Sequence, residues 1–260
     1  MDSTALAVLV GAVVAGAGSA LVPRIIAAIP EPEPHPEPEP DPEAETAAAT
    51  ESASAAPVPA PVGDEPVVPL AEIAEARGLA WRSAVAGAVA GGLAGYGTGW
   101  HWAWAMWVPL VPAYVALAVV DWRRHLLPTY VIARLYVVVI LLALVGWAVT
   151  GDTRSVVHAG LGWLVAGFLY GLLWFIYPRG LGFGDVRLSG VLGIALGWLG
   201  WGPLLIGVYA GFLIGGVGGG LLSALRVVNR KGFPFGPFML IGALVGVLWG
   251  EDLWSRLVGG

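Results

Sequence analysis

Most of this chain consists of apolar segments that follow one another with little interruption. They cover residues 4–22, 83–100, 103–120, 129–150, 156–176, 187–201, 203–225 and 236–250. Most of them approach the roughly 20 residues that an α-helix needs to cross a bilayer. Only 12% of the residues are charged, whereas about 25% are charged in a typical soluble domain. We therefore predict an all-α, polytopic transmembrane bundle of about eight spans.

An acidic, proline-rich stretch separates the first apolar segment from the others. Twelve of the eighteen acidic residues lie between Glu31 and Glu75. Proline removes backbone donors and like charges repel, so we expect a disordered linker. The predicted organisation is an N-terminal transmembrane helix at 1–24, this linker at 25–75 and a membrane domain at 76–260. Asp2 precedes the first apolar segment and Arg24 follows it, which favours a retained anchor over a cleaved signal peptide.

Basic residues predict the orientation of the bundle. With eight spans, one side of the membrane receives ten basic residues, and the other side receives two, Arg154 and Arg256. Lysine and arginine accumulate in cytoplasmic loops. We therefore expect the linker to be cytoplasmic and both chain ends to lie outside the cytoplasm.

Glycines recur at every fourth position in two of the apolar segments. The two series are Gly87, Gly91, Gly95 and Gly99, and Gly207, Gly211, Gly215 and Gly219. Each series places a stripe without side chains along one helix face, which allows close approach of a second helix in lipid. We interpret both stripes as packing surfaces, with a glycine-lined substrate groove as the alternative.

Two carboxylates stand out once the acids of the linker and the outer loops are set aside. Asp121 and Asp185 lie at the predicted cytoplasmic ends of apolar segments, where an ionisable group is a candidate functional residue. Two carboxylates in a partly desolvated site can share one proton, as in aspartic proteases. The alternative is structural: Asp121 pairs with Arg124, and Asp185 pairs with Arg187.

Three sequence blocks give these carboxylates a recognisable context. Asp121 is followed seven residues later by Pro128, and Asp185 ends a Gly-Phe-Gly-Asp motif within Gly180–Leu188. The third block is the proline- and phenylalanine-rich stretch Phe233–Phe238. In this order and at these membrane positions, over roughly residues 83–250, the blocks resemble the type IV prepilin peptidases, the G-x-G-D class of membrane aspartic proteases.

The resemblance implies a function and a set of site residues. It implies an endopeptidase of the bacterial inner membrane that removes the short basic leader of prepilins and pseudopilins on the cytoplasmic side, usually just after a glycine. The expected catalytic residues are Asp121 and Asp185. The expected substrate-binding residues are Gly182, Gly184, Pro128, Pro234 and Gly236.

The chain also departs from the pattern of this family. Larger members carry a cytoplasmic domain with paired C-x-x-C motifs that accompanies N-methylation of the new pilin N-terminus. This chain has no cysteine, and its linker occupies the same place. We therefore expect a peptidase without methyltransferase activity. Thr129 and Arg187 are smaller departures, because an acidic or amide residue and a lysine are usual there.

The sequence gives no indication of a metal, another cofactor or nucleic acid as a ligand. His125 could orient Asp121 from one helical turn away, although a solvated loop histidine is the simpler interpretation. The net charge of −5 gives no basic surface for nucleic acid. The expected partners are the prepilin substrates and the lipid bilayer. The rival function is a transporter or channel that uses intramembrane carboxylates, although transporters place such groups nearer the midplane.

Overall fold

The computed structural model describes residues 2–31, 68–178, 181–224 and 234–259, and for residues 219–224 it describes the backbone alone. These residues form helices and no strand, which confirms the all-α prediction. The helices are α1 Ser3–Ser19, α2 Val22–Ala27, α3 Leu70–Glu75, α4 Leu79–Thr98, α5 Trp102–Trp107, α6 Val111–Arg124, α7 Thr129–Thr150, α8 Thr153–Ile176, α9 Phe183–Leu199, α10 Trp201–Ala224 and α11 Gly236–Val258. A short 3₁₀ turn, Val108–Leu110, joins α5 to α6.

Five helical stretches in the described part of the chain are long and apolar enough to cross a membrane. They are Trp102–Arg124, Thr129–Thr150, Thr153–Ile176, Trp201–Gly218 and Gly236–Val258. The chain is therefore a helical membrane protein. Each of the other three predicted spans contains a helix as well, namely α1, α4 and α9. The count of eight spans stays a prediction.

Helix α9 lies at the centre of the bundle. Twelve of its seventeen residues are buried, and it packs most extensively against α8. At 1.5 Å per residue it is roughly 25 Å long, which is somewhat shorter than a bilayer core. This central helix carries Asp185 in its first turn.

Glycines end the helices at the two shortest predicted loops. Gly99 follows α4 with φ +58°, and Gly200 follows α9 with φ +128°. Residues with a side chain rarely adopt these values. Gly99 therefore lies beyond the helix, and it is not a member of the packing stripe in which the sequence placed it. Both connections are tight turns, so α5 begins at Trp102 and α10 at Trp201.

The two ends of the predicted linker are helical. Helix α2 overlaps the start of residues 25–75, and helix α3 forms their end. The two helices pack against each other. Ile26, Leu70 and Ile73 are almost completely buried there. The prediction of disorder for the whole of 25–75 is therefore wrong at both ends, because buried apolar side chains lie beside the acidic stretch. Residues 32–67, with most of the linker acids, lie outside the described residues.

Close backbone contacts at glycine join the neighbouring helices. Gly91 of α4 lies against the carbonyl oxygen of Gly11 in α1, and Gly95 lies against that of Ala7. Between α10 and α11 the close position is Gly242 of α11, where an added Cβ atom would meet the backbone of Gly211 and lie 2.7 Å from the carbonyl oxygen of Gly207. Gly91 and Gly95 therefore act as the packing surface that the sequence predicts, because a Cβ atom there would meet backbone that cannot rotate away, and Gly207 and Gly211 form the surface on which Gly242 packs.

Replacing Gly91 by alanine should therefore destabilise the bundle. The new Cβ atom overlaps the backbone of Gly11, and such overpacking typically costs about 1–3 kcal/mol. Gly167→Ala in α8 is the matched control, because nothing lies within 4 Å of its Cβ position. Thermal unfolding of the two purified variants measures the difference. An unchanged midpoint for Gly91→Ala would contradict the close packing of α1 on α4.

Candidate active site

Asp121 is held at the end of α6. The helix ends three residues later, at Arg124, and His125 adopts the left-handed conformation with φ 51° while its N–H donates to the Asp121 carbonyl oxygen at 2.8 Å. The side chain of Asp121 is buried, with 5% exposed. Its Oδ2 accepts a 2.9 Å hydrogen bond from the backbone N–H of Gly236, at the start of α11. The third sequence block therefore fixes the first aspartate.

Asp185 is held at the start of α9. It is the third residue of the helix, and its Oδ2 accepts a 2.9 Å hydrogen bond from the N–H of Gly182, the residue that precedes the helix. This is the carboxylate half of a capping box, in which an acid at the third position satisfies a free N–H at the helix start. The side chain is buried, with 6% exposed. Among the described residues, Oδ1 has no hydrogen-bond partner.

Both aspartates line one cavity of about 510 Å³. The acidic side chains in its wall are Asp121, Asp185 and Glu31. The remaining wall is Ile29, Pro30, His125, Leu126, Leu127, Pro128, Thr129, Tyr130, Gly182, Phe183, Gly184 and Arg187. The fold therefore brings together two carboxylates that are 64 positions apart in sequence, in a space large enough for a segment of peptide.

Neither aspartate pairs with an arginine in the described part of the chain. Arg124 forms its ion pair with Glu31, with 2.7 Å between Nη1 and Oε2. Arg187 donates to the hydroxyl of Thr129 and lies over the ring of Phe183. The structure therefore does not contain the alternative arrangement, in which Asp121 pairs with Arg124 and Asp185 pairs with Arg187.

The other predicted site residues divide into two groups. Gly182, Gly184 and Pro128 line the cavity. Pro234 and Gly236 are buried and are not among the lining residues. Gly236 contacts Asp121 instead, because its N–H donates a hydrogen bond to the Asp121 Oδ2. A Cβ atom added to Gly236 would lie 2.8 Å from the same oxygen. Phe233, the first residue of this block, lies outside the described residues.

Leu127 is the spacer between the two halves of the site. A Cβ atom added to Gly184 would lie 2.8 Å from the Leu127 Cβ, and one added to Gly236 would lie 3.3 Å from its Cδ2. The side chain of Leu127 is almost fully buried. Both glycines therefore allow the start of α9 and the start of α11 to approach the turn that follows Asp121.

His125 is exposed, and among the described residues its side chain makes no hydrogen bond to Asp121. Its contribution is to the backbone, since it ends α6 in the left-handed conformation. The described residues contain no group of three or more histidine, aspartate or glutamate side chains suited to a metal ion. The polar side chains that line the cavity are the carboxylates of Asp121, Asp185 and Glu31, together with His125, Thr129, Tyr130 and Arg187.

The profile of the type IV leader peptidase family matches residues 108–249. The chain belongs to this family. The match includes Asp121, Asp185 and the stretch around Gly236, and it leaves out α1 to α5. No solved structure shows a significant match to the chain.

Three relatives are each called prepilin leader peptidase/N-methyltransferase. The protein of Aeromonas salmonicida is 34% identical over 142 residues, which cover 54% of this chain and 47% of the relative. That of Pseudomonas putida is 30% identical over 153 residues, covering 57% and 51%. That of Pseudomonas aeruginosa is 25% identical over 176 residues, covering 62% and 56%. The chain therefore spans about half the length of these leader peptidase relatives.

The sequence did not reveal one wall of the cavity that contains the two aspartates. Ile29, Pro30 and Glu31 follow α2 and lie beside the two aspartates. Glu31 is the first of several alternating glutamates and prolines, so its local pattern does not distinguish it from the acids that follow. Its partner Arg124 is 93 positions away, and this contact depends on the packing of α2 and α3 against α6.

Proposed function

We propose that this chain is a membrane-embedded aspartic endopeptidase that cleaves the basic leader from type IV prepilins or prepilin-like proteins. One observation carries the proposal: two buried carboxylates line one cavity, and among the described residues neither has a cationic partner. Carboxylates that face the same space resist simultaneous ionisation. One of them then keeps a proton, which gives the site both an acid and a base.

In the proposed mechanism, Asp121 and Asp185 share this proton and position one water molecule. The ionised carboxylate takes a proton from the water molecule as the water oxygen adds to the scissile carbonyl carbon. The protonated carboxyl group donates its proton to the carbonyl oxygen. The tetrahedral intermediate then collapses as the C–N bond breaks and the amine nitrogen receives a proton. The N–H groups of Gly236 and Gly182 hold one oxygen of each carboxylate, which leaves the other oxygen of each for the reaction.

We place the cavity at the cytoplasmic face of the bacterial inner membrane. Support comes from the excess of arginine and lysine in the loops on this side, because these residues accumulate in cytoplasmic loops. The apolar segment of the pilin would lie in the bilayer beside the bundle, and its leader would remain in the cytoplasm. The scissile bond would then lie beside the C-terminal end of α6 and the start of α9, where the two aspartates are. Gly182, Gly184 and Pro128 are the proposed substrate contacts, because they line the cavity.

Coexpression with prepilins from the same genome tests this function. The wild-type protein should remove the leader, and the shorter product should be visible by gel shift. The matched control is the same prepilin with valine in place of the glycine before the cut, which should remain uncut. Failure to cut any of the prepilins, or equal cutting of the control, would contradict the proposal.

A further inference from the structure

Arg124 is a cation on the same helix as Asp121, near the end of α6. It lies three residues after Asp121 on α6, and side chains at this spacing lie on the same helix face and can pair. The side chain of Arg124 is 8% exposed, and its Nε has no hydrogen-bond partner among the described residues. A guanidinium group that is so little hydrated requires a carboxylate nearby. Asp121 would be available for that role if no other acid were present.

Glu31 is the acid that takes this role. One oxygen of its carboxylate pairs with Arg124, and the other accepts the backbone N–H of Leu70 at the start of α3. The hydrogen bond from Arg124 holds the pKa of Glu31 below its usual range, so Glu31 is ionised at neutral pH. This single carboxylate therefore neutralises Arg124 and joins the segment after α2 to α3 and to the end of α6.

We propose that Glu31 is a positioning residue that keeps Arg124 paired away from Asp121, so that the two aspartates can share a proton. The inference rests on the proposed function, and it assigns a task to an acid outside the residues that the family profile matches. An opposite charge beside a carboxylate favours its ionised form. If Arg124 turned to Asp121, that carboxylate would leave the shared-proton arrangement and the site would lose its acid.

The test compares Glu31→Gln with a variant that also removes the arginine. Glu31→Gln should lower kcat by about 10- to 1,000-fold, because a neighbouring opposite charge typically shifts the pKa of a carboxylate by about 1–3 units. KM should change little, since the cavity wall remains. The double variant Glu31→Gln/Arg124→Gln should recover to within about threefold of the wild type, because the competing cation is gone. Glu31→Asp should retain most of the activity.

Two single variants serve as controls. Glu72→Gln removes an exposed acid of α3 and should leave cleavage unchanged. Arg124→Gln should also cleave at nearly the wild-type rate, because it removes the competing cation and leaves Glu31 in place. The infrared band of a protonated carboxyl group provides a readout without substrate. It should be present in the wild type and the double variant, and weak in Glu31→Gln.

The outcomes separate this inference from the proposed function. If the wild type cleaves, and Glu31→Gln cleaves equally well with the same infrared band, the role assigned to Glu31 is overturned while the proposed function stands. A double variant as inactive as Glu31→Gln, or an inactive Arg124→Gln, would show that the ion pair is merely structural. A wild type that cleaves no prepilin contradicts the proposed function, and the infrared comparison still tests the pairing of Arg124.

Discussion

Asp121→Asn and Asp185→Asn should each reduce prepilin cleavage by at least about 1,000-fold. Both side chains are buried in one cavity, and asparagine keeps their shape while removing the ability to exchange a proton. The Asp121 Oδ2 and the Asp185 Oδ2 accept backbone N–H bonds, which the amide oxygen can accept equally well. Folding should therefore be preserved, and the loss should appear in kcat. Initial rates with one purified prepilin measure this effect.

The double variant Asp121→Asn/Asp185→Asn adds a stricter test. Residues that act in one chemical step are strongly non-additive, so the second substitution should cost little beyond the first. Independent roles would multiply the two losses. A single variant that cleaves within tenfold of the wild type would remove that aspartate from the mechanism. Membrane insertion of each variant, measured by fractionation, is the control for folding.

Gly236→Ala is expected to have the second-largest effect. A Cβ atom at Gly236 would lie 2.8 Å from the Asp121 Oδ2 and 3.4 Å from its Cγ. The methyl group would displace the carboxylate, and the 2.9 Å hydrogen bond from the Gly236 N–H would be broken or distorted. We expect about a 100-fold lower cleavage rate, in keeping with the cost of misplacing a catalytic group by about 1 Å.

Gly216→Ala in α10 is the matched control, because nothing lies within 4 Å of its Cβ position. It should cleave like the wild type. The melting temperatures of the two variants should be similar, since the change at Gly236 acts on one carboxylate and on Leu127 at 3.3 Å. Wild-type activity in Gly236→Ala would show that the backbone of α11 does not hold Asp121 in place.

The helical nature of the chain and the two aspartates could be predicted from sequence for a common reason. Apolar segments of membrane length leave few places for a carboxylate, so Asp121 and Asp185 are conspicuous at the segment ends. The glycines around Asp185 added a motif that could be recognised. These signals are local in sequence, so they can be recognised without knowledge of how the helices pack.

The contacts that surround the aspartates could not be predicted in this way. Leu127 separates the starts of α9 and α11, and the pair of Glu31 with Arg124 joins residues 93 positions apart. Such contacts arise from the tertiary packing of helices, and no local pattern marks them. Composition also assigned the helical ends of the linker to disorder, because the buried side chains of Ile26 and Ile73 are few beside the many prolines and acids.

The mass of a pilin coexpressed with this chain tests the central claim most directly. With the wild type, the pilin should have lost the mass of its leader and should carry no added methyl group. With Asp121→Asn or Asp185→Asn, the pilin should keep its full precursor mass. Full-length precursor in the presence of the wild type, or mature pilin in the presence of either variant, would contradict a paired-aspartate leader peptidase.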